Sequence, residues 1–185
     1  MKYYAVIDTN VLVSSMLTSN PDSTIAKIIN YVRLDYIIPM FNDSILEEYQ
    51  AVLHRDRFHF DIRRIDELIM LIKNKGINCS RRPVTDYFPD PDDVVFYEIA
   101  MSRDDSYLVT GNLRHFPKNG RVVSPADMIY IIDYEKKSHD VLSEPEGPYY
   151  LPISLEEINS IIREVRLECK LPPKSEQFCQ RKLNR

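Results

Sequence analysis

Two kinds of hydrophobic pattern alternate along this chain. Short apolar runs with no helical period are separated by longer stretches whose apolar residues recur three and four positions apart. Tyr3–Ile7 (YYAVI), Tyr36–Pro39 (YIIP), Ser106–Thr110 (SYLVT) and Arg121–Val123 (RVV) are of the first kind and read as strands buried on both faces. Pro39 is expected to close the second of them. The second kind predicts helices over Val11–Leu17, Thr24–Arg33, Ile45–Leu53, Asp61–Lys75, Val94–Ser102 and Pro125 to about Ile132. Several of these have start signals, such as Asn20-Pro21-Asp22-Ser23, Asn42-Asp43-Ser44 and Ser124-Pro125. Cys79–Val84 is ambiguous between a weak strand and a connector.

Strands alternating with helices imply right-handed crossovers. The expected fold is therefore a three-layer α/β/α domain around a central, mostly parallel sheet of four or five strands, with a C-terminal helix. That domain is expected to occupy residues 1–134. Residues 135–153, polar and proline-bearing, read as a linker. Residues 154–185 form a tail whose 154–170 segment has a Ser154–Glu157 capping box and an apolar stripe.

Composition narrows the picture. At 185 residues and 44% hydrophobic content, one folded domain with an appendage is expected. Four glycines argue against a glycine-rich phosphate loop. Cys79, Cys169 and Cys179 are odd in number and without paired spacing, which suits unreactive thiols in a reducing, cytoplasmic compartment. No signal-like or membrane-spanning run is present in the sequence. The net charge of −4 does not advertise a nucleic-acid binder. It is unevenly distributed, because residues 154–185 carry 7 Lys+Arg against 5 Asp+Glu.

The informative feature is where the acids fall. Asp8 ends the first strand. Glu47 and Glu48 lie early in the helix after the second. Asp90, Asp92 and Asp93 open a helix before the third, and Asn112 follows that strand. In a parallel sheet these positions can converge on the carboxyl rim, where ligands bind. Crowded carboxylates without His or Cys select hard cations such as Mg²⁺ or Mn²⁺, whose natural chemistry with phosphodiesters is hydrolysis. The same residues have ordinary alternatives: Asp8, Asp90 and Asp93 as helix caps, Glu47 and Glu48 as a solvated first turn.

Four segments in order, VIDTNVLVS (6–14), EEYQAVLHRDRF (47–58), DPDDVVFYEIA (90–100) and YLVTGNLRHFP (107–117), resemble a PIN domain, nearest the VapC-like toxin branch of toxin–antitoxin systems. The resemblance covers about residues 1–133. It implies a Mg²⁺- or Mn²⁺-dependent endoribonuclease, held by a cognate antitoxin and forming a homodimer or higher homo-oligomer. It carries Asp8, Glu48 and Asp93 over as metal-binding and catalytic acids, with Glu47 as the fallback for Glu48. Asn10 and Thr110 become supporting residues. The sequence departs from the family at Asn112, where a fourth acid is usual. The site thus loses one negative charge, which Asp90 can replace. A module that binds RNA or a protein without cleaving it is the alternative.

An acidic rim does not draw RNA unaided, so flanking cations are expected to contact it. Arg55, Arg57 and Arg114 are the candidates; Arg81 and Arg82 belong to another connection, and His115 reads as a structural loop residue. In the tail, Arg163 and Arg166 beside the apolar stripe suit either packing or masking of an acidic rim.

Overall fold

A computed structural model describes residues 1–141. Five strands, β1 (Tyr3–Ile7), β2 (Ile37–Phe41), β3 (Ile77–Asn78), β4 (Ser106–Val109) and β5 (Val122–Val123), form one sheet in the order β3-β2-β1-β4-β5. Every adjacent pair is parallel. Six helices connect and cover it: α1 (Thr9–Leu17), α2 (Thr24–Arg33), α3 (Asp43–Leu53), α4 (Ile62–Lys75), α5 (Val94–Ala100) and α6 (Pro125–Val141). This is the three-layer α/β/α arrangement. β2 is buried at all five positions and β1 at four of five, as a sheet covered on both faces requires.

The strand order fixes where a ligand can sit. From β1 the chain moves outward to β2 and β3, then returns across β1 to β4 and β5. The crevice beyond the carboxyl ends of β1 and β4 is the point where the order reverses. Ile7 is in register with Val109, and the Asp8 amide donates to the Val109 carbonyl at 2.9 Å. Asp8 and Thr110 therefore leave the sheet side by side.

Several boundaries differ from the sequence reading, four of them with a structural consequence. Pro39 does not close β2, which runs on to Phe41. Phe41 accepts from Cys79 on the β3 side, so Pro39, two residues earlier, also turns its nitrogen that way. Pairing with β3 begins only at Met40↔Ile77, so the missing N–H removes no ladder bond. The third strand in sequence is the two-residue β3, upstream of Cys79–Val84, which is a connector. α5 stops at Ala100, two residues short of expectation. Finally, α6 runs to Val141, well into the stretch read as linker. Its Asp133 and Lys136 dock on the aromatic pair Tyr31 and Tyr36: Tyr31 donates to Asp133, and the Lys136 ammonium lies 3.6 Å from the Tyr36 ring centre. A helical repeat of apolar residues does not capture these contacts. The rest of the expected linker and the tail, including Cys169 and Cys179, lie outside the described residues.

The α4–β3 junction is closely packed. A Cβ at Gly76 would stand 2.5 Å from the Pro39 carbonyl oxygen and 2.6 Å from that of Ile72, both backbone atoms. Gly76→Ala should therefore destabilise the domain by about 1–3 kcal/mol, read as a lower midpoint in urea unfolding.

Candidate functional site

Asp8 is 6% exposed, and its carboxylate is built into the switch point. The Thr110 hydroxyl donates to Oδ2 at 2.6 Å, and the Asn10 side-chain amide donates to the same oxygen at 2.6 Å. The Asn10 backbone amide donates to Oδ1 at 3.2 Å, so Asp8 also caps α1. Asn10 is itself fixed, because its Oδ1 accepts from the Gly111 amide at 2.9 Å. Glycine allows that approach: a Cβ at 111 would lie 3.1 Å from this oxygen. Burial raises the Asp8 pKa, and the hydrogen bonds from Thr110 and Asn10 only partly oppose it.

Two further acids face Asp8. Glu48, half-buried on the second turn of α3, accepts from the Thr9 hydroxyl at 2.6 Å. Its neighbour Glu47 is exposed, which selects Glu48 between the two. Asp93 occupies the position before α5 but makes no side-chain cap there; its Oδ2 instead meets His115 Nδ1 at 2.9 Å. Burial raises the pKa of both. The negative charges of Asp8, Asp93 and Asp92 add to the rise at Glu48, and Asp8 adds to that at Asp93. The three acids thus share one electrostatic environment.

The other expected positions are less central. Asp90 is exposed and caps the 3₁₀ turn Pro91–Asp93 through the Asp92 amide at 3.0 Å. Its negative charge adds to the rise at Asp93. Asn112 is half-buried; its backbone amide donates to the Thr110 hydroxyl at 2.9 Å, and its side chain caps nothing. Arg114 is exposed in the 3₁₀ turn Leu113–His115 on the same rim. Arg55 and Arg57 follow α3, which runs away from the rim, so they start roughly 10 Å of helix rise beyond Glu48. Arg57 is stacked over Phe58 at 4.6 Å. Arg81 is committed to the buried Glu98 at 2.5 Å.

The sequence reading gave three residues beside these acids no part in the site. His115 is no mere loop residue, since its imidazole braces Asp93. Thr9 holds Glu48, and the charge of Asp92 adds to the rise at Glu48. Their only sequence signal is adjacency to Asp8, Asp93 and Asn112.

Among the described residues, no three His, Cys, Asp or Glu side chains converge closely enough to hold an ion jointly as they stand. The donor set still suits Mg²⁺ or Mn²⁺. All donors are hard oxygens, the described partners of the three acids include no Lys or Arg, and Mg²⁺ binds through one or two carboxylates while keeping several waters.

A carboxyl whose folded-state pKa exceeds its unfolded value favours folding while protonated. That advantage is complete below the unfolded value, about 4, and is lost as pH rises through the folded one. All three acids shift upward. The metal-free protein should therefore lose thermal stability as pH rises from about 4 toward neutrality. Asp8→Asn should raise Tm at neutral pH and flatten this dependence, and Mn²⁺ should raise Tm of the wild type but not of this variant. Differential scanning calorimetry over pH, with and without the ion, checks both.

Among the described residues no helix is long and apolar enough to cross a membrane. Comparison with curated proteins and with solved structures gave no match. A family model described as PIN domain matches residues 4–114, more than half of the chain and all three acids. PIN domains are generally nucleases that bind RNA and use divalent metals. With the parallel sheet, the switch-point carboxylate and this match in agreement, the chain belongs to the PIN-domain family.

Proposed function

We propose that this protein is a divalent-metal-dependent endoribonuclease and the toxin of a toxin–antitoxin pair. The observation that carries the nuclease reading is that Asp8, Glu48 and Asp93 are each withdrawn from solvent and hydrogen-bonded by a hydroxyl, an amide or an imidazole, with none ion-paired to a Lys or Arg among the described residues. When bound, Mg²⁺ or Mn²⁺ supplies acidity to the attacking water and counter-charge to the phosphodiester as it becomes five-coordinate. Asp8 holds the ion with an orientation set by Thr110 and Asn10. Glu48 and Asp93 complete the binding face, aimed by Thr9 and His115. Such bracing partners commonly matter by 10–100-fold in metal affinity. Asp90 keeps one oxygen free of its cap and adds negative potential. Arg114 contacts the phosphate chain next to the rim, and Arg55 and Arg57 lie farther along it.

The toxin role and the expected partners, a cognate antitoxin and a second copy of the chain, rest on the resemblance to the VapC-like branch. Asn112 favours a second reading, a module that binds RNA without cutting it, because a neutral amide stands where the family has an acid.

Incubation of labelled single-stranded RNA with Mn²⁺ separates the two. Cleavage is expected for the wild type, with loss of at least about 100-fold for Asp8→Asn. Asn112→Asp should lower the Mn²⁺ concentration for half-maximal cleavage, since it restores a charge. RNA binding without cleavage by the wild type, and cleavage gained only in Asn112→Asp, would establish the second reading. Growth arrest on expression of the wild type but not of Asp8→Asn tests the toxin role.

A further inference from the structure

A cavity of about 750 Å³ opens between the β4–β5 connection and the edge strand β5. Its walls include Leu113, Arg114, Phe116, Lys118, Gly120 and Val122. Its volume lies within the ~300–1,000 Å³ typical of small-molecule sites. Phe116 is buried and forms an apolar floor, while Arg114 and Lys118 are exposed at the mouth. Neither cation is ion-paired among the described residues. An apolar floor under two free cations is the complement of a nucleotide, whose base is apolar on its faces and whose phosphate is anionic.

Position ties this cavity to the carboxylate rim. Leu113 and Arg114 line it, while His115, next in the same 3₁₀ turn, contacts Asp93 at 2.9 Å. The opposite wall is anchored to the same helix that Asp93 begins: Asn119 Nδ2 donates to the Tyr97 hydroxyl at 3.2 Å, and Tyr97 lies in α5. Asn119 Oδ1 accepts from the Arg121 amide at 3.0 Å, so this side chain shapes the wall and is not free to turn outward. Acid site and cavity therefore share one framework.

We propose that this cavity is a subsite for a nucleotide of the RNA substrate, with the base on the Leu113–Phe116–Val122 surface and the phosphate between Arg114 and Lys118. It rests on the ribonuclease reading above and adds which part of the substrate is gripped beside the cut.

Gly120 offers a clean test. A Cβ there meets no atom within 4 Å, and its φ is not positive, so the backbone accepts a large side chain at a position that lines the cavity. Affinity for a short fluorescein-labelled single-stranded RNA is measured by anisotropy in EDTA, where binding is read without cleavage. Gly120→Phe should weaken it about tenfold or more. Lys118→Ala, at an exposed position, should reduce the slope of log affinity against log salt by about 0.7, the value of one phosphate contact on a single strand. Circular dichroism and Tm confirm that each variant is folded. RNA affinity in Gly120→Phe equal to wild type, an unchanged salt slope in Lys118→Ala, or no RNA binding by the wild type would each overturn the subsite. Mn²⁺-dependent cleavage is scored separately. Its absence counts against the ribonuclease reading alone, whereas wild-type cleavage with unaltered binding by Gly120→Phe counts against the subsite alone.

Discussion

A carboxylate held in the sheet's own switch point, with hydrogen bonds but no cation, is the constraint around which this domain is arranged. Burying Asp8 disfavours its ionised form. Three donors reduce that cost: the Thr110 hydroxyl, the Asn10 amide side chain and the Asn10 backbone. None of them is charged, so none neutralises it. The register of β1 with β4 makes the arrangement possible, because it brings residues 8 and 110 level although they are 102 positions apart.

Two buried acids of the same domain show the contrast. Glu98, also 6% exposed, has the Arg81 guanidinium on one oxygen and the Val84 amide on the other. It ties the 79–84 connector to α5 and is internally compensated. Asp8 is left uncompensated, and Glu48 and Asp93, each half-buried, add to the negative potential. Their partners are a hydroxyl and an imidazole. An arginine thus compensates Glu98, while the described partners of the other three acids include no Lys or Arg. Natural folds accept such local cost at functional sites.

Local capping and a place at the carboxyl rim are not exclusive alternatives here. Asp8 has both, since one carboxylate has enough acceptor positions for the α1 amide and for its neighbours. Asp90 takes the capping role. Asp93 stands at a cap position and turns away from it toward His115. The distinction between Asp90 and Asp93, three residues apart in one acidic loop, depends on side-chain direction, which spacing does not encode. Thr9 and His115 were hidden for a related reason: each is recognisable only by the acid it touches.

The order of elements, the parallel sheet and the acid-bearing ends of β1, α3 and α5 were legible in the sequence, because burial on both faces leaves unbroken apolar runs and covering helices leave a stripe of period 3.6. Local signals also marked Asn42 and Ser23 in helix-start clusters, since a cap bonds within three residues of itself. The two-residue β3, the passage of β2 through Pro39 and the length of α6 were decided only in three dimensions, by which neighbour each strand faces and by the ring pair on which α6 docks. The site divides the same way. Its carboxylates are chain-local facts, but the setting of Asp8 is long-range: Thr110 reaches it only because β1 and β4 lie side by side.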